Sequence, residues 1–484
     1  MGTAADADAD AARAGYLCRV HPPHWENPKP RECYDLAVLG AGPAGLAAVE
    51  EAQRAGLAVA LIERNRLGGD SFNYGTIPSK AIIGSARRQA RHEDGTRPPA
   101  GDFAVTMARM RRIRARIAEY HAIDRLSTRG VDVFFGDGGF VARRELRVAG
   151  QSVRFGKALI ATGARPQPAN IPGLAEIGYL TSETLLDLTA LPQRLTVIGG
   201  GPLGCEAAQA FSRLGAQVTL VQNDPKFLPD EERDAAELLS RALARDGVIT
   251  RLNTAVVGAR RIDGVRWVDT VRDEVRESFA AEQILLTIGR IPNIEALGLE
   301  AAGVGTGEHG ILVDEFLCTA NADVYAAGDV CTEYKYTNVA EGSARLAVRN
   351  ALGAQIAVQR LGAIPRCTYC DPEIAHIGLH VWEARARAIP IKTYTVMMHD
   401  VDRAITEGRD EGFVKIHIKD GTDEILGATI VAGQASEMIN EMAVIMGAGI
   451  GMRQLAGILH TYPAQSGAIR RAALAFVWHE RPAP

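Results

Sequence analysis

Two stretches of the chain share one rhythm of apolar and small residues. In YDLAVLGAGPAGLAAVEEAQRAGLAVALIER an apolar strand from Tyr34 to Leu39 runs into Gly40, Gly42 and Gly45. An Ala-rich helix follows, the chain turns at Gly56, and a second strand ends at Glu63. RLTVIGGGPLGCEAAQAFSRLGAQVTLVQ repeats the design with Gly199, Gly201 and Gly204 between a strand and a helix. Strand, tight turn, helix and strand in this order predict a dinucleotide-binding unit, here present twice. The first glycine allows the turn, the second lets backbone approach a pyrophosphate at the helix N-terminus, and the third lets helix pack on strand. Glu63 then offers a carboxylate to a ribose hydroxyl. The equivalent position of the second unit is Gln222, so the usual acid is absent there and cofactor preference is left open between NADH and NADPH, with Asn223 beside it and Lys226 close in sequence.

Between and after these units come ALIATGARP, with Thr162 and Gly163, LLTIGRIPN, with Gly289, and ANADVYAAGDV, with Asp329. Each alone is no more than a strand followed by a glycine turn. MARMRRIRARIAEY, from Met107 to Tyr120, sets Met107, Met110, Ile113 and Ile117 on one stripe with arginines around it, which predicts a solvated helix.

Composition narrows the class. A chain of 484 residues with 47% hydrophobic content is long enough for roughly three domains. A formal charge of −4 gives no electrostatic footprint for nucleic acid. No run approaches the roughly 18 apolar residues of a membrane span. The start, MGTAADADADAARAG, lacks a basic region and an apolar region, so it is expected to be a disordered tail and not a secretory signal. Seven cysteines, odd in number and sparse, suit a reducing cytoplasm and no disulfide framework. Cys367 and Cys370 form a CxxC pair in an extended stretch, where residues three apart point to opposite faces, so two packed thiols are expected in place of a redox or metal pair. The HPPH at His21 to His24 reads as a surface turn made by its prolines. No metal site is expected.

The stretch GGDSFNYGTIPSK, from Gly68 to Lys80, completes a pattern. Together, in this order, the segments resemble the FAD and NAD(P) dependent pyridine nucleotide-disulfide oxidoreductases, particularly mercuric-reductase-like and dihydrolipoamide-dehydrogenase-like members, over about residues 20 to 478. The resemblance implies an α/β fold with two Rossmann-like dinucleotide-binding domains, the second inserted in the first, plus a C-terminal α+β dimerisation domain. The expected divisions are an N-terminal extension at 1–33, partly disordered, the FAD-binding domain at 34–163 and 289–360, the NAD(P)-binding domain at 164–288, and the dimerisation (interface) domain at 361–484. It also implies a homodimer. Gly40, Gly42, Gly45, Glu63, Gly69, Thr162, Gly163 and Asp329 would hold FAD, and Gly199, Gly201, Gly204, Gln222 and Gly289 would hold NADH or NADPH.

The family pattern in the Gly68–Lys80 stretch is approximately GGTCLNVGCIPSK, with a disulfide beside the flavin. Ser71 and Thr76 stand where the cysteines fall. Hydroxyls neither ionise at working pH as thiols do nor form a disulfide. The family's His-Glu base dyad, contributed by the partner subunit, is also changed: in LHTYPAQSG, aligned on Pro463, the base position holds Tyr462 and the glutamate position Gly467, while His460 falls two residues early. Lys80 and Glu206, by contrast, match the lysine near the flavin's reducing nitrogen and its glutamate partner. Pro202 replaces a tyrosine that many relatives use to gate the flavin, and Asn338 a frequent histidine. The expectation is a cytoplasmic flavin-dependent NAD(P)H dehydrogenase that passes electrons to a non-disulfide acceptor such as a quinone, an artificial acceptor, oxygen or a second nucleotide, without disulfide or mercuric reductase activity. The alternative is a flavin-binding regulatory subunit whose redox chemistry has decayed.

Overall fold

The computed structural model describes residues 14–89 and 102–479. The first strand, Tyr34–Leu39, lies in the middle of a seven-stranded sheet, flanked in parallel by Val59–Glu63 and by Gln151–Ile160. Asp132–Phe135 extends one side. On the other, the C-terminal half of Gln151–Ile160 also pairs in parallel with Val324–Ala326. A strand more than 160 residues later in the chain thus completes the sheet that begins at Tyr34.

Between these strands the chain builds a second parallel sheet of four strands, ordered Ile249–Arg251, Gln217–Val221, Arg194–Ile198, Gln283–Leu286. The paths into and out of this second unit are themselves paired, Ala164–Pro166 running antiparallel to Arg290–Pro292. The C-terminal unit is a five-stranded antiparallel sheet, Arg366–Thr368, Glu373–Gly378, Ile425–Ala432, Phe413–Lys419 and Ile391–Met397 in spatial order, with helices Ala435–Gly447 and Gly467–His479 packed on it.

The glycines explain why both nucleotide units turn so tightly. Gly40 has φ of +100°, and a Cβ there would meet the Ala161 carbonyl oxygen at 2.4 Å. One on Gly45 would lie 1.8 Å from the Gly40 oxygen, so the helix Pro43–Arg54 can sit against its strand only without it. Gly199, at φ of +109°, and Gly204, 2.0 Å from the Gly199 oxygen by the same measure, repeat both constraints.

Two local expectations change, those for the tail and for the arginine-rich helix, while the HPPH turn stands. Ala14 and Gly15 do not belong to a disordered tail: residues 14–20 are helical, with Tyr16 and Val20 in the core, while residues 1–13 lie outside the described residues. The HPPH segment turns at Pro23 and His24 as expected, but His21 stacks on Phe135 with ring centroids 4.1 Å apart. The arginine-rich helix is Phe103–Ile117, capped by Asp102, with Met107 and Met110 buried. Its arginines are not all solvated: Arg109 donates to the Ala81 carbonyl at 2.9 Å and Arg114 to that of Asn73 at 3.1 Å.

Candidate active site

The first glycine turn opens into a cavity of about 680 Å³, within the range of roughly 300–1,000 Å³ typical of cofactor sites. Gly40, Gly42, Glu63 and Gly69 line one end, with Thr162, Gly163 and Asp329. Gly45 lies behind, in the helix. Both oxygens of Glu63 accept backbone amides, Oε2 from Ala41 at 2.8 Å and Oε1 from Asn65 at 2.7 Å. Burial raises its pKa, and these amide hydrogen bonds oppose the rise. Thr162 and Asn293 stitch the ATG and IPN segments together, Thr162 Oγ1 donating to the Asn293 carbonyl at 2.7 Å and Asn293 Nδ2 to that of Thr162 at 2.9 Å.

A charged cluster, of which the sequence singled out only Asp329, lines the same cavity. Arg290 stands 3.2 Å from Asp70 and 3.8 Å from Asp329. Lys335 donates to the Asp329 carbonyl at 3.3 Å. Burial raises both aspartates, with Arg290 opposing, and burial lowers Lys335. Oδ1 of Asp70 and Nε of Arg290 are buried without a hydrogen-bond partner. The sequence signal was present in part: Arg290 follows Gly289, and Asp70 follows Gly69.

The second cavity, about 650 Å³, opens at the second glycine turn and is lined by Gly199, Gly201, Pro202, Gln222, Asn223 and Gly289. Gln222 Oε1 accepts the Gly200 amide at 2.7 Å, the same bond that Glu63 makes to Ala41. Lys226 is exposed and outside this lining, and Gly204 lies behind in the helix Pro202–Arg213.

Lys80 and Glu206 meet between the two nucleotide units. Lys80, in the helix Thr76–Ala86, points its ammonium to within 2.8 Å of Glu206 Oε2 and 4.2 Å of the Tyr369 ring centroid. Glu206 Oε1 accepts the Tyr369 amide at 2.9 Å. Both oxygens of a carboxylate only 5% exposed are therefore engaged, as burial requires. In the first cavity, which Lys80 lines, Ser71 Oγ lies 2.8 Å from Thr337 Oγ1, and Thr76 is exposed. Asn338 lines this cavity too and donates to the Pro365 carbonyl at 3.0 Å.

Cys367 is half-buried and lines the first cavity, whereas Cys370 is buried in the core. Both thiols are free, and burial pushes both pKa values up, which disfavours a nucleophilic thiolate. Tyr462 is 79% exposed and donates to Asp402 Oδ2 at 2.8 Å. His460 Nε2 lies 2.5 Å from Glu441 Oε1, a pairing the sequence did not indicate. Gly467 opens the last helix, and within one chain Tyr462, Asp402, His460, Glu441 and Gly467 line neither cavity.

Among the described residues His376, His380 and Glu383 bring ligand atoms within 4.8 Å of one another. They form a packed polar cluster: His376 uses its nitrogens on Thr429 Oγ1 at 2.8 Å and the Gly378 carbonyl at 2.9 Å, and the Arg366 guanidinium lies 2.5 Å from His380 Nε2.

The first cavity fits a pyrophosphate-bearing group. Gly42 stands at the N-terminus of a twelve-residue helix, where a Cβ would have only the Gly69 Cα, at 3.6 Å, near it, and the lining of the same cavity carries the Arg290 and Lys335 cations. Gly201 in the second cavity is more open still, with nothing within 4 Å of a Cβ.

The family model described as pyridine nucleotide-disulphide oxidoreductase matches residues 34–344, and that of the family's dimerisation domain matches residues 364–473. A mercuric reductase of Staphylococcus aureus is 30% identical over 452 residues, covering 92% of this chain and 82% of its own. A dihydrolipoyl dehydrogenase of Haloarcula marismortui is 32% identical over 459 residues, covering 91% and 96%. Among solved structures, the HOCl-induced flavoprotein disulfide reductase RclA of Escherichia coli superposes with a TM-score of 0.82 at 27% identity, covering 91% of this chain and 99% of that one. Two glycine-turn units, a discontinuous parallel sheet and a C-terminal dimerisation unit agree with these matches, and the chain belongs to the pyridine nucleotide-disulphide oxidoreductase family, whose members bind FAD and NAD(P)H.

Proposed function

We propose that this protein is an FAD-dependent NAD(P)H oxidoreductase that delivers electrons to a small non-disulfide acceptor, such as a quinone, and reduces neither disulfides nor mercuric ion. The observation that carries the reading is an asymmetry in one cavity: the Lys80–Glu206 pair is complete at 2.8 Å, while Ser71 and Thr76 place hydroxyls where relatives would place sulfur. Bound FAD supplies the hydride-accepting ring. Lys80 provides a fixed positive charge toward it, and Glu206, tied to the Tyr369 amide, holds that charge in place. Glu63 and Gly42 orient the nucleotide end, and Gln222 with Gly201 does the same for NAD(P)H.

Ser71 cannot form a mixed disulfide and Thr76 cannot supply a thiolate, so the residues present give no route for sulfur exchange. The half-buried Cys367 does not replace them, because burial opposes its ionisation. The C-terminal unit supports a homodimer. The test is steady-state NADH consumption by the purified protein with lipoamide against a benzoquinone. Turnover with the quinone and none with lipoamide supports the proposal, and robust lipoamide reduction overturns it. An anaerobic NADH titration that leaves the flavin oxidised would instead favour a protein that binds flavin without using it.

A further inference from the structure

The short helix Gly69–Asn73, which carries Ser71, is gripped from two sides. Toward the cavity, Ser71 meets Thr337 at 2.8 Å. At its C-terminal end Asn73, which also lines the cavity, is 1% exposed and donates to the carbonyls of Leu67 at 3.1 Å and Gly69 at 2.7 Å. Its Oδ1 accepts the hydroxyl of Tyr16. Tyr16 comes from the helix at 14–20, upstream of residues 34–344, which the family model matches. It is 2% exposed, with its ring 6.0 Å from Phe72 and the Arg114 guanidinium 4.5 Å from its centroid. Arg114 in turn donates to the Asn73 carbonyl at 3.1 Å.

Four residues after Tyr16, the Val20 carbonyl accepts the Leu67 amide at 3.0 Å, and the next amide, that of Gly68, donates to Ala41 within the first glycine turn at 2.8 Å. A five-residue helix cannot hold itself in water, since nucleation outweighs its few internal bonds. Its position is set by what packs on it.

We infer that the N-terminal helix 14–20 is a brace for the Ser71 face of the cavity, and that Tyr16 acts through Asn73 as a positioning residue. Ser71 and Thr76, the two ends of this turn, carry no covalent link, and the clamp by Tyr16 and Arg114 fixes the turn instead. The amides of Tyr74 and Gly75 both donate to the Asp70 carbonyl at 2.8 Å, so the braced helix runs directly into the cap of the helix that bears Lys80. Lys80 has its own anchor in Glu206. Loosening the brace therefore shifts Ser71 more than Lys80.

The test compares full-length wild type, Tyr16→Phe and Tyr16→Ala, each with and without FAD. Hydrogen exchange over Leu67–Gly75 is expected to rise about tenfold in Tyr16→Ala, as a local opening, and less in Tyr16→Phe, with the strand Arg194–Ile198 unchanged. In the flavin-loaded proteins, anaerobic flavin bleaching by NADH stays within about twofold of wild type, while reoxidation by a benzoquinone changes by about fivefold or more. Unchanged exchange over Leu67–Gly75, or an increase spread over the whole chain, overturns the brace. A local increase with both half-reactions unaltered overturns the positioning role. The reoxidation arm rests on the proposed function: a wild type that never reduces the quinone defeats that proposal, while the exchange arm still decides the brace.

Discussion

The Lys80 ammonium stands 2.8 Å from Glu206 Oε2, although the two residues are 126 positions apart. The backbone amide of Tyr369, from the C-terminal unit, reaches the other Glu206 oxygen at 2.9 Å. Three parts of the chain thus converge on one ion pair, and Lys80 and Tyr369 line the first cavity. On the proposed function, a charge held this way needs no rearrangement when hydride arrives.

Replacing that charge is the most direct probe. Lys80→Met should slow anaerobic bleaching of the flavin by NADH by about a hundredfold or more while FAD stays bound. Glu206→Gln keeps an acceptor for the Tyr369 amide and should cost less, about tenfold. Stopped-flow absorbance gives both rates. A Lys80→Met protein as fast as wild type would reduce the pair to a strut between helices.

The glycines separate cofactor contact from folding. Gly42→Leu should yield folded but colourless protein, because the side chain fills the approach to the helix N-terminus. Gly45→Ala should damage the fold itself, since its Cβ would sit 1.8 Å from the Gly40 oxygen. Flavin absorbance and circular dichroism of the purified variants distinguish the two outcomes. Full flavin occupancy in Gly42→Leu would displace the pyrophosphate from this turn.

Gln222 is fixed by the Gly200 amide through Oε1, which leaves its NH₂ group as the free end. That end is a neutral donor, neither a carboxylate for a free 2′-hydroxyl nor a cation for a 2′-phosphate. Wild type should discriminate weakly, leaning to NADH, and Gln222→Glu should strengthen the preference for NADH. Ratios of kcat/KM for the two nucleotides measure this. A wild-type preference beyond about a hundredfold, roughly 2.7 kcal/mol, would mean that another residue reads the ribose.

Acid should weaken the contact between the second nucleotide unit and the C-terminal sheet. His417, 1% exposed, is lowered to about 4 by burial, with Glu232 at 3.7 Å only partly opposing, and burial also lowers the fully buried His376. The unfolded chain titrates these groups near 6.5, so from there down to about 4 it binds protons that the folded chain refuses. Stability is full above that window and falls as pH drops through it, by up to about 1.4 kcal/mol per pH unit for one proton. Burial would raise Glu232, but the contact with His380, the Val381 amide and Lys415 outweigh it and bring it to about 2, which adds a further loss only at lower pH. Urea unfolding at about pH 7 and about pH 5 should show the difference, reduced in His417→Gln. An unchanged slope in that variant would remove His417 from the account.

Restoring sulfur tests what is missing. The double variant Ser71→Cys and Thr76→Cys should show a long-wavelength absorbance band on two-electron reduction, absent from wild type. Its lipoamide turnover should stay low, because Tyr462 and Gly467 supply no base of the required kind. Brisk turnover in the double variant would point to the His460–Glu441 pair, at 2.5 Å, as a base in their stead.

The periodicity of the chain was enough for the two glycine-turn units and for Glu63 and Gln222 as equivalents, because a tight turn, a close helix and a short reach back to the turn amide are all local constraints. The backbone bonds from Ala41 to Glu63 and from Gly200 to Gln222 express that equivalence directly. Residue chemistry alone also settled that Ser71 and Thr76 carry no sulfur. What no local pattern could convey was which distant groups meet. The Arg290 cluster, the Tyr369 amide on Glu206 and the Tyr16 hydroxyl on Asn73 each join segments whose spacing follows no period, and the burial that shifts Asp70, Asp329 and His417 exists only once the units have packed. The acidic, Ala-rich start carries few apolar residues to signal an element, and residues 1–13 lie outside the described residues; that Ala14 and Gly15 join a helix at 14–20 follows from Tyr16 and Val20, which are buried by the surface they cover, and the tertiary structure alone provides that surface.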